Sequence, residues 1–315
     1  MARALKWTAD DLPDLTGRTA IVTGANSGIG LATTRELAAH GANVTLAVRD
    51  ASRGDVAARS ITDAHPDAHV EVAVLDLADL ASVASFAAAW SQSHPSGLDL
   101  LVNNAGVMAI PRQRTADGFE RQFGTNHLGH FALTGRLLPA LVARPRSRVV
   151  TVSSGAHRFG QMDFDDLMGE RRYNAWRAYG QSKLANLLFT AELQRRLDAG
   201  GANVLAMAAH PGYAATNLQA AGPRMRGQEW AVGPVELGNR LFGQSAEMGA
   251  LPLLFAATAP GLPGNSYIGP DGLFEQRGYP RLVDRSKAAK NMADAARLWT
   301  MSENLTGVVY PLDAA

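Results

Sequence analysis

The sequence predicts an α/β fold: a single doubly wound domain whose parallel sheet, about seven strands wide, is flanked by helices on both faces. Three observations lead there. Short apolar runs alternate with longer helical patterns, and a glycine-rich turn joins the first run to the first helix. No linker, repeat or low-complexity block interrupts the rhythm.

In order, Arg18 to Thr23 (RTAIVT) reads as a buried strand, and Gly24 to Gly30 turns into a helix ending near His40-Gly41. Asn43 to Val48 is a second strand, Ala51 to Ala64 a second helix and Val70 to Leu75 (VEVAVL) a third strand. A helix from Asp79 to Ser93 leads to a fourth strand, Leu98 to Val102, and one or two helices fill Ala116 to Ala143. Arg148 to Val152 (RVVTV) is a fifth strand, Ala175 to Ala199 a helix and Asn203 to Ala208 a sixth strand. Asn265 to Gly272 reads as a last short strand, and Ser286 to Glu303 as a terminal helix. Residues 1–16 and 273–315 stand as terminal extensions of the domain. Residues 211–240, rich in Gly, Pro, Arg and Gln with weak periodicity, follow a strand carboxyl end, where open α/β sheets bind ligands. That stretch reads as a substrate loop or lid, against a plain surface excursion.

Composition narrows the function classes. Hydrophobic residues at 46% and charged residues at 19% suit a globular core, and a net charge of +1 gives no electrostatic case for nucleic acid. The chain has no cysteine, which excludes disulfides, thiolate catalysis and Cys-ligated metal. The opening MARALKWTADDLPDLTG lacks the apolar core of a signal peptide, and no apolar run reaches the roughly 20 residues a membrane span requires. A cytoplasmic protein is expected.

In TGANSGIG, Gly24, Gly28 and Gly30 let the backbone approach a pyrophosphate at the first helix N-terminus, as in a Rossmann-type nucleotide site. The spacing departs from G-x-G-x-x-G, and no Lys-Ser/Thr follows to make a P-loop. The second strand ends in Val48-Arg49 where NAD-preferring sites carry an acid, and a guanidinium suits a 2′-phosphate. Asp50 is better placed to cap the second helix, and Arg53 is either a second phosphate contact or a surface cation. NADP(H) is therefore favoured over NAD(H).

Tyr179 and Lys183 lie four apart in a predicted helix and share a face. With six Tyr and four Lys, chance supplies such a pair in about one sequence in ten, so the motif alone is weak. Two circumstances strengthen it. Only four of the 30 Lys and Arg residues are lysine, so a merely solvated cation would be expected to be Arg. Ser153-Ser154 and Asn103-Asn104-Ala105-Gly106 also follow strand ends that converge on one crevice.

TGANSGIG, NNAG, Asn126 within FGTNHLGHFALT, SS before Tyr-x-x-x-Lys, and HPG together resemble the motif set of short-chain dehydrogenases/reductases, in that family's order over residues 17 to 272. The NHLGHFALT and SSGAH runs further resemble its retinol dehydrogenase-like and protochlorophyllide reductase-like branch. The resemblance implies that Tyr179 exchanges a proton with the reacting oxygen, Lys183 holds the nicotinamide ribose, Ser154 (or Ser153) hydrogen-bonds that oxygen, and Asn126 holds a relay water. A phenol acting as base near neutrality needs a pKa drop of roughly 3 units, about 4 kcal/mol, which Lys183 and the cationic nicotinamide of the oxidised cofactor would supply. It also implies that Gly24, Ser27, Gly28, Ile29 and Gly30 wrap the pyrophosphate, and that Asp76 with Leu77 meets the adenine. Asn104, Ala105 and Gly106 would line the adenosine side, with Pro211 and Gly212 near the nicotinamide and Thr216 near its carboxamide or the phosphates. Homodimers or homotetramers through the Tyr179 helix and residues 243–258 are implied as well.

The alternatives are a non-catalytic NADP(H)-binding sensor on the same fold and a Rossmann-like methyltransferase; the intact Tyr179, Lys183, Ser154 and Asn126 set argues against both. No metal is expected, and His127, His130 and His210 read as packing or capping residues. His157 could touch substrate. Phe159, Met162, Trp176, Met225 and Trp230 suggest a sizeable apolar carbonyl or alcohol substrate (a retinoid, steroid or long aldehyde), or else belong to the core.

Overall fold

The structure, a computed structural model, describes residues 6–213 and 244–312. Most of the expected lid, with Thr216, Met225 and Trp230, lies outside the described residues. Eight strands form one sheet in the order β3-β2-β1-β4-β5-β6-β7-β8. They are β1 (Thr19–Thr23), β2 (Asn43–Val48), β3 (Val70–Val74), β4 (Leu100–Asn103), β5 (Ser147–Val152), β6 (Val204–Ala209), β7 (Tyr267–Pro270) and β8 (Pro280–Leu282). All neighbours pair in parallel except β7 and β8, where Ile268 faces Leu282 and Pro270 faces Pro280. The eighth, antiparallel strand was not foreseen. At three residues, two of them exposed, it has too little alternation to be read from sequence.

Burial on both faces explains why the strands read as continuous apolar runs. Ala20 and Val22 of β1 and Leu100 and Val102 of β4 enter the core shared with α1 (Gly28–Ala39), α2 (Ala51–Ala64) and α7 (Ala246–Thr258). Ile21 and Leu101 point the other way, into the core shared with α3 (Leu80–Ser93), α5 (Gly129–Val142) and α6 (Ala175–Ala199). Helix starts follow local capping: Asp50, Asp79 and Asn174 each accept backbone N–H bonds at the starts of α2, α3 and α6. The capping role expected for Asp50 is the one it takes.

The stretch before α5 is unusual. A short α4 (Arg121–Phe123) runs into a π-helical turn, Gly124–Leu128, and then into α5. Glu120 caps it, accepting the N–H groups of Gln122 and Phe123. Asn126 sits within the π turn, a geometry that recurs at functional sites.

The terminal helix α8 spans Met292–Thr306 rather than starting at Ser286, because Asn291 caps it by accepting from Ala293 and Asp294. It lies against α6, burying Trp299 with Phe131 and Phe189 at ring separations of 5.1 and 5.9 Å. Arg196 stacks over the indole at 4.6 Å, and Tyr310, whose hydroxyl donates to Phe131 O at 2.7 Å, closes the far side. One face of α6 is thus covered by the chain's own C-terminal segment. We expect Trp299→Ala to cost about 3–5 kcal/mol in chemical denaturation, because a fully buried indole leaves a large void. A loss below about 1 kcal/mol would contradict this packing. Among the described residues, no helix is long and apolar enough to cross a membrane.

Candidate active site

The strand order reverses between β1 and β4, and their carboxyl ends part there, as at the crevice of a doubly wound sheet. A cleft of about 1350 Å³ opens at this point. Its lining takes in Gly24, Ser27, Gly28, Ile29 and Gly30, then Arg49, Asp76 and Leu77, then Asn104, Ala105 and Gly106. Ser154, Tyr179, Lys183, Pro211 and Gly212 line the other end. Every expected catalytic and cofactor-contact residue within the described chain is therefore gathered there except Asn126, which lies behind Gly106.

The glycine turn fits a pyrophosphate. Gly24 (φ 67°) and Gly28 (φ 54°) take the left-handed backbone that glycine adopts without cost. A Cβ on Gly30 would run into Gly24 O and Asn104 Nδ2, so α1 and the β4 loop can close on the turn only around a glycine. Ser27 makes no side-chain cap and no acid occupies the first turn, so the positive helix end is left without a protein anion. Asn104 locks the turn to β4: its Nδ2 donates to Thr23 O at 2.8 Å, and its N–H and that of Ala105 donate to Thr23 Oγ1 at 2.9 Å.

At the cleft's other rim, Arg49 is exposed beyond β2. Asp50 is committed to the α2 N-terminus, its Oδ1 accepting Arg53 N–H at 3.2 Å. Arg53 lines the same cleft. Asp76 Oδ1 accepts Ala78 N–H at 2.9 Å, which makes it part of a turn as well as of the lining.

The reactive groups come from β5 and α6. Tyr179 is 5% exposed and Lys183 4%, one turn apart on the buried face of α6. Burial pushes the Tyr179 phenol up to about 12, opposed by its hydrogen bond with Ser154. Burial also pulls the Lys183 ammonium down to about 8. Lys183 Nζ donates to Val152 O at 3.1 Å and lies 5.8 Å from the Tyr179 ring centre. Burial is thus the largest influence on the phenol, and the chain's own groups keep Tyr179 protonated at neutrality. The two serines separate: Ser153 Oγ is turned back to donate to Lys183 O at 2.8 Å, while Ser154 meets Tyr179.

Asn126 holds the floor. Its Oδ1 accepts Val107 N–H at 2.8 Å, and its Nδ2 donates to Val107 O and to Ser182 Oγ, both at 2.9 Å. A Cβ on Gly106 would stand 3.0 Å from Asn126 Oδ1 and 3.6 Å from Lys183 Nζ, so this glycine spaces the π turn from the lysine. His130 joins the two halves. Its Nδ1 faces Asn126 O at 3.0 Å and must carry the proton, so Nε2 accepts from Thr23 Oγ1 at 2.9 Å. Burial holds His130 neutral, down to about 4. Sequence reading took it for a packing residue, since nothing in the run NHLGH marks its partner 107 positions earlier.

His157 is buried rather than set on the cleft wall: its Nδ1 donates to Ser154 O at 2.7 Å and its Nε2 accepts Ser286 N–H at 3.3 Å. Of the apolar residues assigned to the pocket, Phe159 and Trp176 line it and are half exposed, whereas Met162 packs into the core beneath α6. Sequence reading missed Phe274, Glu275 and Gln276, which also line the cleft.

Comparison with known proteins follows the same lines. The short chain dehydrogenase family model matches residues 18–226. Retinol dehydrogenase 13 of Homo sapiens is 44% identical over 286 residues, covering 90% of this chain and 84% of that protein. Retinol dehydrogenase 11 of Homo sapiens is 40% identical over 302 residues, covering 95% and 88%. Among solved structures, an uncharacterized protein from Mycobacterium paratuberculosis is 48% identical with a TM-score of 0.80, covering 97% of this chain and 99% of that one. Pseudomonas aeruginosa RhlG, solved as an active-site complex with NADP, is 26% identical with a TM-score of 0.62, covering 83% and 98%.

Proposed function

The chain belongs to the short-chain dehydrogenase family, in its retinol dehydrogenase-like branch, and on that premise we propose that it is an NADP(H)-dependent oxidoreductase interconverting a carbonyl and an alcohol on a sizeable apolar substrate. The observation that carries this reading is the buried Tyr179–Ser154 pair beside Lys183, at one end of a cleft whose other end is the glycine turn.

The bound nicotinamide would supply or take the hydride. Gly24, Ser27, Gly28, Ile29 and Gly30 would hold its pyrophosphate, Asp76, Leu77, Asn104, Ala105 and Gly106 its adenosine, and Lys183 its ribose. In reduction, the substrate oxygen sits between Ser154 Oγ and Tyr179 Oη, and the phenol gives up its proton as negative charge develops there. A phenol held protonated by burial suits that direction. Lys183 donates toward the resulting phenolate, and Asn126 keeps the Gly106–Val107 segment at a fixed distance from it. Phe159 and Trp176 would offer apolar contact to the rest of the substrate.

NADPH preference rests on Arg49, with Arg53 behind it and Asp50 withdrawn into the α2 cap. A charged hydrogen bond to the 2′-phosphate is worth about 1.5–3 kcal/mol. Arg49→Ala should therefore raise the KM for NADPH by about 10–100-fold and leave that for NADH within about twofold; equal effects on both would remove the basis for the preference. The function itself is tested by NADPH consumption with a panel of aliphatic and polyene aldehydes. Cofactor binding without turnover on any of them would favour a sensor on the same fold.

A further inference from the structure

The loop joining β7 to β8 lies beyond residue 226, where the family match ends. It contains two consecutive non-glycine residues in the left-handed region, Phe274 (φ 52°) and Glu275 (φ 57°). L side chains enter that region at a cost, and pairs of them persist only where the surroundings over-determine the backbone.

What holds the turn is a polar cluster at the reaction end of the cleft. Glu275 Oε1 accepts from Arg158 Nη2 at 2.9 Å, and Oε2 lies 3.1 Å from His210 Nε2. His210 Nδ1 accepts Gly212 N–H at 3.3 Å, so Nε2 carries the proton and donates to Glu275. Tyr213 N–H donates to Gln276 O at 2.7 Å, and Gly212 leaves no room for a Cβ against that same oxygen. The turn is thus bound at once to the segment after Ser154 and to the segment after β6. The His210 hydrogen bond, with Arg158 behind it, holds the Glu275 carboxyl down to about 2, so that carboxylate stays charged through the neutral range.

The product of this arrangement is a phenylalanine ring 82% exposed on the wall of the cleft. The same ring borders a second, apolar hollow of about 700 Å³ shared with Leu273 and Met248. Stability alone would place glycine at this position: it adopts the backbone freely and exposes no apolar ring. A strained residue presenting an apolar surface into a ligand cleft points to contact with the ligand.

We infer that Phe274 is a specificity-determining residue, held by the Arg158–Glu275–His210 cluster as a wall against the apolar body of the substrate distal to its carbonyl. The inference rests on the oxidoreductase reading above and adds to it the residue that selects for apolar bulk, with Glu275 as its positioning residue.

The test compares decanal with propanal, both with NADPH. Phe274→Gly should lower the decanal-to-propanal ratio of kcat/KM by about tenfold, chiefly through the KM for decanal. Its Tm should equal or exceed that of the parent, because glycine relieves the backbone, and Phe274→Leu should retain most of the ratio. Glu275→Ala, with the ring still present, should lower the ratio similarly. Equal effects on both aldehydes, or a ratio within about twofold of the parent in both Phe274→Gly and Glu275→Ala, overturns the wall. If the parent turns over neither aldehyde, the aldehyde-reducing reading fails. Calorimetric binding of decanol to the NADP-loaded protein then decides the wall separately: weakening of about tenfold in Phe274→Gly supports it, and unchanged binding overturns it.

Discussion

Tyr179→Phe should lower kcat by about 10²–10⁴-fold, the span that a positioned general acid contributes. It should leave the dissociation constant for NADPH and the Tm close to those of the parent. The substitution removes one oxygen and keeps the ring, so the edge contact with Trp176 at a centroid separation of 6.3 Å is retained. The Ser154 hydroxyl loses a partner but borders the cleft, where water can replace it. The measurement is NADPH oxidation against aldehyde, paired with fluorescence titration of NADPH. Activity within about threefold of the parent would sink Tyr179 as the acid, and binding lost together with turnover would point to a collapsed site.

A second large effect is expected on stability in mild acid. Burial holds three histidines neutral in the folded chain: His127 down to about 3, and His130 and His157 down to about 4. In the unfolded chain each titrates near 6.5. Between about pH 4 and 6.5 the unfolded chain therefore binds protons that the folded chain refuses, and stability falls as the pH is lowered. Glu120, whose carboxyl is raised by burial, acts in the opposite sense and removes part of one proton from the difference. Asp99, Glu192 and Glu275 have lowered carboxyls, so their contributions are lost only below the ordinary carboxylate range and do not compete in this window. Two to three protons in all give a slope of roughly 3–4 kcal/mol per pH unit near pH 5. Urea unfolding from pH 5 to 6.5 reads it directly, and a flat profile would show that these imidazoles are charged or exposed in the folded protein.

Much of the fold was open to sequence reading because it is written in local patterns. Strands buried on both faces produce continuous apolar runs such as Ala20-Ile21-Val22, and helices announce themselves through caps such as Asp50 and Asp79. Where local signals are weak, the reading drifted. The π turn around Asn126 is invisible to a 3.6-residue period, and β8 exists only because β7 offers it an edge. The span expected for the terminal helix begins at Ser286, whereas a separate 3₁₀ turn, Ala288–Lys290, comes first and the helix proper starts after the Asn291 cap.

The candidate site divides in the same way. The glycine turn, Arg49, Ser154, Tyr179 and Lys183 could be named from sequence because strand carboxyl ends and helical spacing confine them to one crevice. Their protonation could not: neighbouring charges are legible in residue types, whereas the desolvation that dominates at Tyr179 is set by burial in the folded chain. Which of two adjacent serines faces the phenol, which histidine bridges Thr23 to Asn126, and why Phe274 stands strained on the wall all depend on residues far apart in sequence. Sequence by itself determined the architecture, through periodicity, and the family, through motifs at strand ends that resemble the short-chain dehydrogenase set. Only the tertiary structure decided partners, burial and backbone strain, because these arise from contacts that chain order does not encode.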